Sequence, residues 1–135
     1  MRAPGAMLLS LLAAPALAAT PACPPQLAVR QQALNLPDGA RAFDISDRHP
    51  LISIQFSDGA PDERYWLAPS RQTRRGAFLT NIWEFTASDR PIWLSCGYAG
   101  TSIVVSFPLP ASLRRCEVPF DTGFSPPVAD RFTCQ

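Results

Sequence analysis

From Leu51 to Cys134 the apolar residues return at every second position, the spacing of half-buried strands and not of helices. Ile52, Ile54 and Phe56 fall on one side of a first run, with Leu51, Ser53 and Gln55 on the other. Asp58-Gly59 and Pro61 mark a turn, Glu63 to Ala68 reads as a strand ended by Pro69-Ser70, and Gln72 to Gly76 reads as a polar loop. Ala77 to Thr86 is the longest candidate, with Phe78, Thr80 and Ile82 on one face and Leu79, Asn81, Trp83 and Phe85 on the other. Apolar groups on both faces predict a central strand or one covered by a loop. The period continues through Ile92, Leu94, Cys96 and Tyr98, then Ile103, Val105, Phe107 and Leu109, then Cys116, Val118 and Phe120. A last run holds Val128, Asp130, Phe132 and Cys134, with Asp130 out of character, and Leu27 with Val29 suggests a short strand near the start. The 15 prolines exclude long helices. The expectation is an all-β fold, an antiparallel sandwich or small barrel of about seven or eight strands.

The first residues have a different character. Met1-Arg2 precedes an apolar run from Met7 to Leu17, and Ala16-Leu17-Ala18 has the small-x-small pattern of a signal-peptidase site. Residues 1–18 are therefore expected to be a signal peptide cut before Ala19, leaving 19–135 as a single β-rich domain. The run is shorter than the about 20 apolar residues of a membrane span, and no other stretch is long enough, so no integral membrane segment is expected. Thr20-Pro21-Ala22 before Cys23 does not fit a lipid-anchor site. The chain reads as a soluble protein of the periplasm or the exterior, where thiols are oxidised.

Four cysteines then remain, Cys23, Cys96, Cys116 and Cys134, read as two disulfides. No Cys-x-x-Cys and one histidine leave little for a metal site, and no metal or cofactor is expected. If residues 91–98, 101–109 and 114–120 form a meander, Cys96 and Cys116 lie two strands apart, about 10 Å. That exceeds the about 7 Å a disulfide tolerates between Cα atoms. A chain folding back at Asp121-Thr122-Gly123 brings Cys134 to Cys116, so the expected pairs are Cys116–Cys134 and, by elimination, Cys23–Cys96.

The chemistry-bearing residues are sparse. All basic residues are arginines, and without Arg2 they balance the 11 carboxylates, so a nucleic-acid partner is not expected. His49, in a run with turn character, reads as a surface loop residue, and no Gly-x-Ser-x-Gly accompanies it. Asp58, Asp62, Glu63, Glu84 and Asp89 are the carboxylates from which a paired acid site would have to come. Trp66 and Trp93 stand opposite Tyr65-Leu67 and Ile92-Leu94, so both are at least partly exposed if those neighbours face the core. Arg74-Arg75 and Arg114-Arg115 are forked cations suited to carboxylate partners. Trp with Arg is the composition of an interaction hot spot, and Trp66, Trp93, Arg74 and Arg75 are the candidate binding residues.

Taken together, Cys23-Pro24 with Leu27-x-Val29, Phe56-x-Asp58-Gly59-x-Pro61-x-Glu63, Leu67-x-Pro69, Trp83, Trp93-Leu94-x-Cys96-x-Tyr98, Thr101, Leu109-Pro110, Cys116-x-Val118 and the late Cys134 form a recognisable set. It resembles a family of small exported proteins of Gram-negative bacteria known by the locus tag of a Salmonella founder. The resemblance implies export and disulfides and supplies no catalytic residue. The leading expectation is a non-enzymatic interaction protein, an inhibitor or immunity-type partner of an envelope or secreted protein. The alternative is a periplasmic binder of a small molecule or glycan, and a carboxylate hydrolase ranks third.

Overall fold

The computed structural model describes residues 20–135; the expected signal peptide and its cut before Ala19 lie outside the described residues. Eight strands form two four-stranded antiparallel sheets. The first has the order β1 (Gln26–Ala28), β2 (Arg48–Asp58), β5 (Ile92–Tyr98), β6 (Val104–Pro108). The second has the order β3 (Arg71–Arg75), β4 (Phe78–Glu84), β7 (Arg115–Asp121), β8 (Thr133–Cys134). The all-β sandwich is as the alternation demands.

The inner faces meet in one core. Ile54 and Phe56 of β2, Leu94 and Cys96 of β5, and Cys116 and Val118 of β7 are fully buried, with Trp83 of β4 beside them. Phe56 reaches across to the Trp83 ring at 4.9 Å and the Phe85 ring at 5.4 Å between centroids. Burial of each such side chain stabilises the fold by about 1.5–3 kcal/mol. Leu51 also enters the core, although strict alternation sets it on the opposite face from Ile54. The register of β2 shifts between Leu51 and Ser53, and this irregularity turns Leu51 inward. The carbonyl of Ile52 at the bulge then accepts the Ala129 amide, tying the C-terminal segment to the first sheet.

Both disulfides form as expected, Cys23–Cys96 and Cys116–Cys134. The meander does not. β6 pairs with β5, but β7 pairs with β4 in the other sheet, so Pro110–Arg114 carries the chain across the sandwich. Cys96 and Cys116 therefore belong to different sheets. Cys116 and Cys134 are direct partners on β7 and β8 with Cα atoms 4.1 Å apart. Cys23 ties the N-terminal segment beneath β5, where the Tyr98 hydroxyl donates to the Pro24 carbonyl at 3.0 Å and the Leu51 amide to that of Pro25.

Two further expectations change. Glu63 to Ala68 is not a full strand: Glu63 closes a 3-10 turn (Pro61–Glu63), Arg64 takes a left-handed φ of 62°, and beyond it only Trp66 bridges to Ser57. Gln72 to Gly76, expected as a loop, is instead most of β3 and its turn. Its five residues are all exposed, so no apolar alternation announces it. Gly76, at φ 57°, opens the two-residue turn to β4, a conformation in which a side chain is disfavoured.

Candidate interaction surfaces

At the end of β2, Ser57 is flanked by Trp66 on one side and Trp93 on the other. Direct antiparallel partners point to the same face, so the row Trp66–Ser57–Trp93–Pro108 runs across the outside of the first sheet. Ser57 is fully buried in that row, its hydroxyl donating to the Gly59 carbonyl at 2.9 Å. Trp66 remains 44% exposed and Trp93 half-buried. The fold thus brings together the two tryptophans that the sequence singled out.

What holds Trp66 there is the turn before it. Arg90 lies across Asp58–Tyr65, donating to the Asp58 carbonyl at 3.1 Å and to the Glu63 carboxylate. Its Nε is 3.3 Å from Asp58 Oδ1, and its guanidinium sits 5.3 Å from the Tyr65 ring centre. The hydrogen bond to Glu63 is the main reason its pKa is raised above that of an ordinary arginine; desolvation opposes this, and the nearby negative charges add to it. Gly59, at φ 84°, leaves room for that guanidinium, which a Cβ would strike. Beyond the turn, the Asp58 amide donates to Tyr65 and the Leu67 amide to Phe56, so residues 65–67 pair along β2 like a short edge strand. Trp83 Nε1 adds a bond to the Leu67 carbonyl at 2.9 Å.

Arg74 and Arg75 lie on the other sheet, both exposed on the edge strand β3. Arg75 is opposite Phe78, a partly exposed ring with the Arg131 guanidinium 5.3 Å from its centre. Arg74 belongs to the inward row Arg74–Leu79–Phe120, and Gln72 to the row Gln72–Asn81–Val118. These rows lead into a cleft of about 420 Å³ at the edge of the sandwich. Ile54, Phe56, Leu67, Trp83 and Phe120 form its apolar walls, and Trp66 and Asn81 border it. Trp66 and the row of Arg74 therefore converge on one edge. Trp93 and Arg75 look outward from opposite sheets.

A third surface went unread in the sequence. The segment from Arg30 to Asp47, joining β1 to β2, leaves Leu34, Leu36, Phe43 and Ile45 exposed, Leu34 at 88% and Ile45 at 94%. Single exposed apolar residues are ordinary, but Leu36, Phe43 and Ile45 line one shallow hollow and so form a patch. The signal was available: four large apolar residues without strand period around Pro37-Asp38-Gly39. His49, expected on the surface, is buried at the base of this loop because it lies in β2 and not in a turn. Its Nδ1 is 2.6 Å from the Ala99 carbonyl.

The carboxylates considered for catalysis are largely engaged by arginine. Asp58 and Glu63 bind Arg90, while Glu84 is shared by Arg71 at 3.7 Å and Arg115 at 3.4 Å on the outside of the second sheet. Arg115 also holds Glu117. A paired acid site needs two carboxyls facing a common substrate, and of the five considered Asp58, Glu63 and Glu84 face cations. Among the described residues no three His, Cys, Asp or Glu side chains are grouped to hold a metal ion, and no helix is long and apolar enough to cross a membrane.

Residues 46–135 match the family described as Type VI secretion system Tli immunity protein. An uncharacterised 16.3 kDa protein in the trpG 5' region of Azospirillum brasilense is 30% identical over 142 residues, covering 96% of this chain and 94% of its own. No solved structure matches. The motif resemblance pointed to an exported family without an assigned activity, and the match adds a family with a stated role. It takes in seven of the eight strands and begins at Ser46, so the apolar residues Leu34, Leu36, Phe43 and Ile45 precede it.

Proposed function

Because the chain belongs to the family of Type VI secretion system Tli immunity proteins, we propose that it is an exported, non-enzymatic immunity protein that neutralises a delivered effector by binding it. The family match carries this reading and favours it over a glycan or small-molecule binder. Two closed disulfides support work in an oxidising space, since such bonds do not persist in a reducing cytosol. Removal of residues 1–18 before Ala19 would release residues 19–135 as one domain into the periplasm. There the protein meets an effector arriving from a neighbouring cell. The contact residues we propose are Trp66, Trp93, Arg74 and Arg75. Rigid aromatic anchors beside forked cations are the side chains that dominate binding energy at protein interfaces.

The test is a competition between sibling cells. A strain lacking the gene is mixed with its secretion-active parent, and survivors are counted with and without an exported copy of the chain. The reading expects loss of the deletion strain, rescue by the exported copy, and no rescue by a copy without residues 1–18. Equal survival of the deletion strain and the parent would remove it.

A further inference from the structure

The edge of the second sheet has features that packing does not require. β3 pairs with β4 alone, its five residues are exposed, and three of them are arginines with no carboxylate among them. Arg71 reaches Glu84, but neither Arg74 nor Arg75 is in an ion pair among the described residues. An open edge presents free backbone donors and acceptors, and proteins commonly defend it with charge. Arginine on β3 repels a second β3 and leaves the edge open to a strand of opposite sign. The inward rows from Gln72 and Arg74 continue into the apolar cleft beneath Trp66.

Resting on the immunity reading, we propose that β3 is the strand to which the effector adds. An extended acidic segment of the partner pairs its backbone with Arg71–Arg75. Side chains alternate along a strand, so every second residue of the segment faces the outside, where Arg75 waits, and the others face the inward row of Arg74. Its carboxylates meet these two guanidiniums, and one large apolar side chain enters the cleft between Leu67, Trp83 and Phe120. The charge on the edge selects the partner, and the cleft fixes the register.

The same competition assay tests this with the full exported chain carrying Arg74→Glu and Arg75→Glu. A control carries the same change in net charge at the exposed Arg48→Glu and Arg114→Glu, away from the described surfaces. Purified variants are first compared with the unaltered protein in thermal unfolding and in disulfide mass. The paired Glu variant is expected to unfold like the unaltered protein yet to lose protection by at least about tenfold, since like charges set against each other at an interface are strongly unfavourable. Arg74→Gln with Arg75→Gln, which only removes charge, is expected to lose less, and the Arg48/Arg114 control to protect fully. Full protection by the Arg74/Arg75 Glu variant overturns the docking proposal and leaves the immunity reading standing. Equal loss in the control overturns it in favour of unspecific steering. A dimer of the unaltered chain whose residues 71–75 are shielded from amide exchange would assign the edge to a second copy and also overturn it. Absence of protection by the unaltered chain removes the immunity reading itself.

Discussion

Removing the two disulfides one at a time should destabilise the protein unequally, in an order that the loop lengths set. Cys23–Cys96 closes 73 residues and Cys116–Cys134 closes 18. In the chain-entropy account the longer loop is worth about 4.4 kcal/mol and the shorter about 3.2 kcal/mol at 25 °C. Packing losses nearly cancel in the comparison. Each bridge joins one fully buried cysteine, Cys96 or Cys116, to a partly buried one, Cys23 or Cys134. Cys23→Ala with Cys96→Ala should therefore cost about 1.2 kcal/mol more than Cys116→Ala with Cys134→Ala, the difference depending only on the ratio of loop lengths. Against a total stability of about 5–15 kcal/mol, either loss is large. Urea unfolding followed by tryptophan fluorescence measures both. A smaller loss for the Cys23/Cys96 pair would refute the reasoning. It would mean that the segment before β2 detaches by itself, so that the bridge does not constrain the unfolding of the two sheets.

Three further outcomes follow from individual side chains. Trp83→Phe removes the bond to the Leu67 carbonyl and part of the packing on Phe56; it should cost about 1–3 kcal/mol in chemical unfolding. Arg90→Gln releases Asp58, Glu63 and Tyr65 together, but the pairs are partly exposed. Global stability should hardly change, while amide exchange across residues 58–66 becomes faster. Burial raises the Tyr98 phenol above its ordinary 10.0, so the native state holds that proton more tightly than the unfolded chain does. The resulting stability is present below that value and is lost as pH rises through the native pKa. Tyr98→Phe should cost about 1 kcal/mol near neutrality by losing the bond to Pro24, and this deficit should shrink in alkaline unfolding curves.

The fold class was legible because a period of two survives wherever one face of a strand is buried. The pattern states which face a residue occupies but not which strand lies beside it. Val105 and Phe107 alternate with their neighbours whether β7 follows in the same sheet or in the facing one, and so the crossover at Pro110–Arg114 was missed. The disulfides still paired as expected because Cys134 returns beside Cys116 in either arrangement. β3 was unreadable for a physical reason: an edge strand wet on both faces needs no apolar residue. The partial exposure of Trp93 could be read from Ile92 and Leu94 turned to the core, whereas Tyr65, one of the two neighbours on which the placing of Trp66 rested, is itself 60% exposed. That a single buried serine separates the two tryptophans, and that Arg74 shares a row with the cleft wall, depends on pairings that no local pattern encodes. The apolar loop before His49 was overlooked because hydrophobic side chains without periodicity resemble neither a strand nor a helix.

The proposal that this chain acts by occupying its target, and not by chemistry upon it, is tested most directly by titrating the purified, oxidised protein against a fixed amount of the delivered effector. Residual effector activity should fall linearly to zero at a fixed stoichiometric ratio and return when the complex is dissociated. Complete inactivation at a small fraction of one equivalent, or an effector that stays inactive after separation, would contradict it by revealing turnover.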